Sequence, residues 1–158
     1  MKSRFLIPVS CSFAGVYVIV NAKNKKCYVG SSKNISNRIN QHISQLKNNK
    51  SPVDEMQKDF NNGDNFIFHV VLKYHDSDVG NHRNKKNLLA LEGKAIKAYD
   101  AVKSGYNKDD KLGITMYDED IFYSKIYTDE LIKYVDGTED EPYINLWSGY
   151  KEKHKEKN

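Results

Sequence analysis

The chain has 158 residues, of which 39% are hydrophobic and 29% charged, and its formal net charge is +4. Those values fit one compact domain with room for a small appendage, and no stretch is long and apolar enough to span a bilayer as a helix. The charge is uneven: residues 113–158 hold six Lys and no Arg against eleven acids, a balance of −5, which leaves +9 on the first 112 residues.

In chain order, the start (MKSRFLIPVSCS) has an apolar run broken by Pro8, Ser10 and Ser12, so no export signal is expected and the protein is read as intracellular, in the cytoplasm. Cys11 and Cys27 are too few for a disulfide framework and fit no zinc spacing. Residues 15–21 (GVYVIVN) and 26–30 (KCYVG) are predicted strands, rich in β-branched and aromatic residues and joined by the polar turn NAKNKK. Asn34 is placed to cap a helix in which Ile35, Ile39, Ile43 and Leu46 recur at helical spacing. Pro52 restarts a shorter helix over 53–61, NNGDN is a turn, and residues 66–74 (FIFHVVLKY) form the strongest predicted strand. A polar run, DSDVGNHRNKKN, then leads into a helix over 87–103, ended by Ser104-Gly105. Residues 118–136 read as helical with a break near Thr128-Asp129, and KEKHKEKN is a charged run expected to fray. The expected architecture is α/β, an α+β sandwich in which helices flank a small three-stranded antiparallel sheet. Residues 1–112 form its main domain, and 113–158 an acidic, mainly helical extension.

Charge alone does not choose a function. A basic front end suits a polyanion such as nucleic acid, whose phosphates release counterions to Lys and Arg; a plain solvated surface fits equally well. Side-chain placement is more informative. On the 87–103 helix, Leu88, Leu89, Ala95, Ile96 and Tyr99 define an apolar arc, and Glu92 projects near its middle. A carboxylate there costs several kcal/mol unless it is paired or binds a cation, and taken alone such a glutamate is more often ion-paired than a ligand. On the first helix His42 falls in the isoleucine arc, with Arg38 one turn earlier on its flank. Taken alone, that pair is most simply a snorkelling Arg and a buried, satisfied His, just as Tyr17 and Tyr28 are most simply cross-strand aromatics. Together they make a coherent phosphodiester-cleaving set. Arg38 can fork onto phosphate oxygens, a tyrosine with its proton drawn off can act as base, and one carboxylate suits a single Mg²⁺ or Mn²⁺ ion.

Gly15-Val16-Tyr17, followed by Tyr28-Val29-Gly30 with ten residues between the two tyrosines, resembles the GIY-YIG nuclease family, with valine in place of isoleucine in both triplets. Arg38 lies ten residues past Tyr28, where that family has its arginine. His42 matches a histidine of its intron-encoded homing endonuclease branch, and Gly105-Tyr106-Asn107 matches a late Tyr-Asn pair. The resemblance covers about residues 13–108. It implies a metal-dependent DNA endonuclease of mobile-element, phage or restriction type, with a catalytically silent DNA- or RNA-binding module, or a nuclease subunit of a repair assembly, as the alternatives. It also implies roles: Tyr17 as general base with Tyr28 shaping or sharing that role, Arg38 and His42 on the phosphate, Glu92 on Mg²⁺ (or Mn²⁺), and Asn107 bracing the site. Lys26 matches a lysine that some restriction-type members use near the nucleophile. A second histidine carried by homing-type members is replaced here by Ser51. Gly30 is expected to let backbone and DNA come close. The extension, with Ile121, Phe122, Leu131 and Trp147, is expected to pack on the domain or mediate dimerisation; a C2 homodimer suits cleavage of both strands.

Overall fold

A computed structural model describes residues 4–8, 11–74, 80–109 and 132–134. The elements are β1 (Phe5–Pro8), β2 (Gly15–Asn21), β3 (Cys27–Ser32), α1 (Ile35–Lys47), α2 (Asp54–Asn61), β4 (Phe66–Lys73), α3 (His82–Ala98) and β5 (Ile132–Tyr134). Their strands form one sheet in the order β3-β2-β4-β1-β5. The three expected strands are its antiparallel β3-β2-β4 part, with Tyr17 opposite Gly30 on one side and Val70 on the other.

The sheet is larger than the three strands read from sequence. Strand β1 runs parallel to β4, and β5 pairs antiparallel with β1. Four residues are too few to display a period-2 pattern, so FLIP reads as an apolar scrap until β4 offers it a partner. Arg4 locks this strand in place by donating to the Phe60 and Asp64 carbonyls near the α2 C-terminus, the latter at 2.7 Å, while its guanidinium lies 3.8 Å from the Phe60 ring centroid. Strand β5 corrects the helix expected over 118–136: at 132–134 the backbone supplies the ladder partners that the open edge of β1 requires. The remainder of that stretch, and the apolar residues expected to pack or dimerise, lie outside the described residues.

Every residue of β2 is buried, because both faces of the sheet are covered. Tyr17 and Ile19 point to the α1 and α2 side, where Ile35, Ile39, Ile43, Leu46, Met56, Phe60 and Phe68 complete one core cluster. Val16, Val18 and Val20 point the other way and pack with Val29, Leu88, Leu91, Ala95 and Ile96. Fully burying one such aliphatic side chain contributes about 1.5–3 kcal/mol, so the α1 stripe alone accounts for much of that helix's docking.

Helix ends follow local chemistry. Asn34 caps α1 by accepting from the Asn37 amide at 3.1 Å. Asn81 caps α3 likewise, accepting from the Asn84 amide at 2.8 Å, so the helix begins at His82, five residues before the sequence-based start. The first turns of α3 hide their helical character because Asn84 and Asn87, not apolar residues, face inward. Each of α1, α2 and α3 stops at a residue of positive φ: Asn49 (φ 58), Gly63 (φ 100) and Asp100 (φ 52). After each, the next amide reaches back to a carbonyl in the last turn, as Ala101 does to Ile96 at 3.0 Å. Asp100, rather than Ser104-Gly105, therefore ends α3.

Candidate active site

The site straddles the edge strand β3. Tyr17 comes up from β2 beneath Gly30 of β3, and its ring lies so close that a Cβ at Gly30 would sit 2.4 Å from the Tyr17 hydroxyl oxygen and 2.6 Å from Cζ. Gly30 has no positive φ. Its lack of a side chain admits the Tyr17 ring.

From α1, His42 reaches the same place. Its Nε2 and the Tyr17 hydroxyl share a proton across 2.8 Å. The imidazole stands edge-on to both tyrosines, with ring centroids 5.6 Å from Tyr17 and 5.5 Å from Tyr28. His42 is 2% exposed. Burial, helped by the neighbouring Arg38 charge, lowers its pKa to about 3, so the ring is neutral at ordinary pH. Burial likewise holds the Tyr17 phenol well above its usual value; Tyr28 and Glu92 add to this, and Arg38 opposes it. Tyr17 therefore rests protonated, against a neutral imidazole. Arg38 is half-buried one turn earlier on α1, and its guanidinium donates to Gln41.

On the other side of β3, Glu92 is 7% exposed on α3. Its Oε1 accepts from Ser31 Oγ at 2.5 Å. Ser31-Ser32 follows the second triplet in the sequence without a role of its own; alternation along β3 from Val29 is the signal that puts Ser31 on the α3 face. Asn107 braces the strand directly. Its side-chain oxygen accepts from Val29 N at 2.8 Å and its amide donates to Val29 O at 2.9 Å, so a carboxamide occupies the position of a neighbouring strand's peptide. Tyr106 adds an N–H bond to Cys27 O at 2.8 Å, and its hydroxyl donates to Asp59 at 2.6 Å.

Six of the seven residues singled out from sequence thus gather around Gly30. Lys26 does not join them. It forms an ion pair with Glu55 of α2, which raises its pKa, and it lies 5.9 Å from the Tyr106 ring centroid. Among the described residues no group of three or more His, Cys, Asp or Glu is assembled as a metal cage. Among the described residues Glu92 is the buried carboxylate at this site that could hold a cation, and a single carboxylate suits a hard ion that keeps its waters; zinc calls for a set of nitrogen and sulfur ligands. Cys11 and Cys27 are both buried and are thiols, not a disulfide.

The family model described as "GIY-YIG catalytic domain" matches residues 13–107, more than half of the chain. The chain belongs to the GIY-YIG catalytic domain family. Two solved structures are similar to this GIY-YIG domain. The catalytic domain of the homing endonuclease I-TevI matches at 26% identity and a TM-score of 0.51, over 61% of this chain and 98% of that one. A point mutant of the same catalytic domain, described as that of an intron endonuclease, matches at 26% identity and a TM-score of 0.52, over 61% and 94%. No curated protein shows a significant sequence match. The assignment of the GIY-YIG domain as an endonuclease rests on the family match together with these structural likenesses. Among the described residues no helix is long and apolar enough to cross a membrane.

Proposed function

We propose that this GIY-YIG domain is a metal-dependent DNA endonuclease of the homing type, in which Tyr17, Arg38, His42 and Glu92 act on one phosphodiester. The observation that carries this reading is the convergence of the Tyr17–His42 contact and the buried Glu92 carboxylate on the two sides of one glycine in β3. Double-stranded DNA is the proposed substrate, and the +9 balance of the first 112 residues supports a polyanion.

Tyr17 is the general base. Burial disfavours a free phenolate and an imidazolium alike, so the proton passes from the nucleophile to Tyr17, and from Tyr17 to His42 across the 2.8 Å contact, only with the substrate phosphate in place, whose negative charge favours the protonated imidazole. Tyr28 packs edge-on against His42, keeping that ring in line. Arg38 leaves Gln41 to fork onto the non-bridging oxygens as charge builds on them. Glu92 holds Mg²⁺ or Mn²⁺, which when bound supplies positive charge to the phosphate and to the departing oxygen. Asn107 holds β3, and with it Tyr28 and Gly30, in register.

The test is incubation with supercoiled plasmid in Mg²⁺, in Mn²⁺ and in chelator. Nicking that needs the metal and is lost in Glu92→Ala and Arg38→Ala is expected. Tight DNA binding without cleavage in any metal would instead make the protein a nuclease-fold binding module.

A further inference from the structure

We infer that Ser31 is a positioning residue that sets the orientation in which Glu92 receives its divalent cation; this deepens, and rests on, the metal-dependent reading above. Ser31 follows Gly30 and pairs in register with Val16, so its side chain leaves the sheet on the α3 face. There its hydroxyl donates to Glu92 Oε1 at 2.5 Å. Glu92 is almost removed from solvent, so protein donors rather than bulk water fix the plane of its carboxylate.

Ser31 is suited to that task by its position. A serine has one side-chain torsion before its donor, and the strand carrying it is clamped two residues earlier by the paired Asn107 bonds to Val29. The same strand supplies the glycine over which the Tyr17 ring lies. One short segment, Val29-Gly30-Ser31, therefore references both the base and the carboxylate to a common frame. Ser31 acts through Glu92, as outer hydrogen-bond partners of metal ligands generally do, and loss of such a partner commonly weakens metal binding 10–100-fold.

The experiment measures Mn²⁺ binding to the full chain without DNA, from the electron paramagnetic resonance signal of free Mn²⁺. It compares wild type, Ser31→Ala, Ser31→Thr and Glu92→Gln, with circular dichroism melts on each. Expected are a loss of affinity of about 10–100-fold in Ser31→Ala, near-wild-type affinity in Ser31→Thr, which keeps the donor, and no specific binding in Glu92→Gln. Nicking by Ser31→Ala should recover towards wild type as Mn²⁺ is raised. Wild-type Mn²⁺ affinity in Ser31→Ala, with binding abolished in Glu92→Gln, overturns the role of Ser31 and leaves the proposed function standing. Failure of Ser31→Thr to restore affinity also overturns it. Wild-type affinity in Glu92→Gln removes the metal site itself, and the inference with it.

Discussion

Replacing Gly30 with alanine adds one methyl group at the centre of the site. Its backbone accepts the change, since Gly30 is not in the left-handed region. The cost is steric: the new Cβ would lie 2.4 Å from the Tyr17 hydroxyl oxygen, 2.6 Å from Cζ and 3.1 Å from Cε1, so the ring must withdraw by about 1 Å to reach ordinary contact. Tyr17 is 1% exposed and backed by His42 and the α1 core, so that movement meets a filled interior. Overpacking of this kind costs about 1–3 kcal/mol. A base displaced by about 1 Å also loses roughly 10²-fold in rate. Urea denaturation followed by circular dichroism reads the first quantity, and single-turnover plasmid nicking at saturating Mn²⁺, where the variant is folded, reads the second. A Gly30→Ala protein with the wild-type denaturation midpoint and wild-type nicking would refute both the packing argument and the placement of Tyr17 in the chemistry.

Three further outcomes are expected. His42 titrates lower in the fold than in the unfolded chain, so its contribution to stability is complete above about pH 6.5 and is lost as pH falls towards 3. At about 1.4 kcal/mol per tenfold change in proton affinity this amounts to a few kcal/mol; urea midpoints against pH should flatten in His42→Asn, and an equally steep curve would count against the effect. Asn107→Ala removes both bonds to Val29 and should cost about 1–3 kcal/mol, with faster hydrogen exchange at the Val29 amide; unchanged exchange there would deny Asn107 its role as a strand surrogate. Lys26→Ala breaks a surface pair worth about 0–1 kcal/mol and should leave nicking intact, whereas a large fall in rate would return Lys26 to the site.

What the sequence disclosed depended on distance along the chain. The spacing of Tyr17 and Tyr28 was legible because a hairpin ties the two by local pairing, and His42 and Glu92 were legible because a polar residue interrupts an apolar helical face. Partners fixed only by tertiary contact were not. Lys26 looked like a neighbour of Tyr28, but Glu55, 29 residues on, decides where its ammonium goes. Ser31 has no assigned partner until α3 brings Glu92 to it, and the need for a glycine at position 30 to admit the Tyr17 ring is set only by that tertiary contact. The early turns of α3 escaped notice because buried amides do the work that apolar residues usually do; Tyr74 donates to Asn84 at 3.1 Å there.

A site divided between two sheet faces and joined through an edge strand has a thermal consequence. Among the described residues β3 has a ladder partner on one side only, and a three-residue segment ending in a side-chain amide stands in on the other. Such an edge opens at lower free energy than the β2-β4 centre of the sheet. On warming, Tyr17 and Glu92 should therefore lose their shared reference before either helix layer melts. Inactivation should then be reversible over a range of temperature in which the fold remains intact, and the protein would behave as a nuclease switched off by heat ahead of its own unfolding.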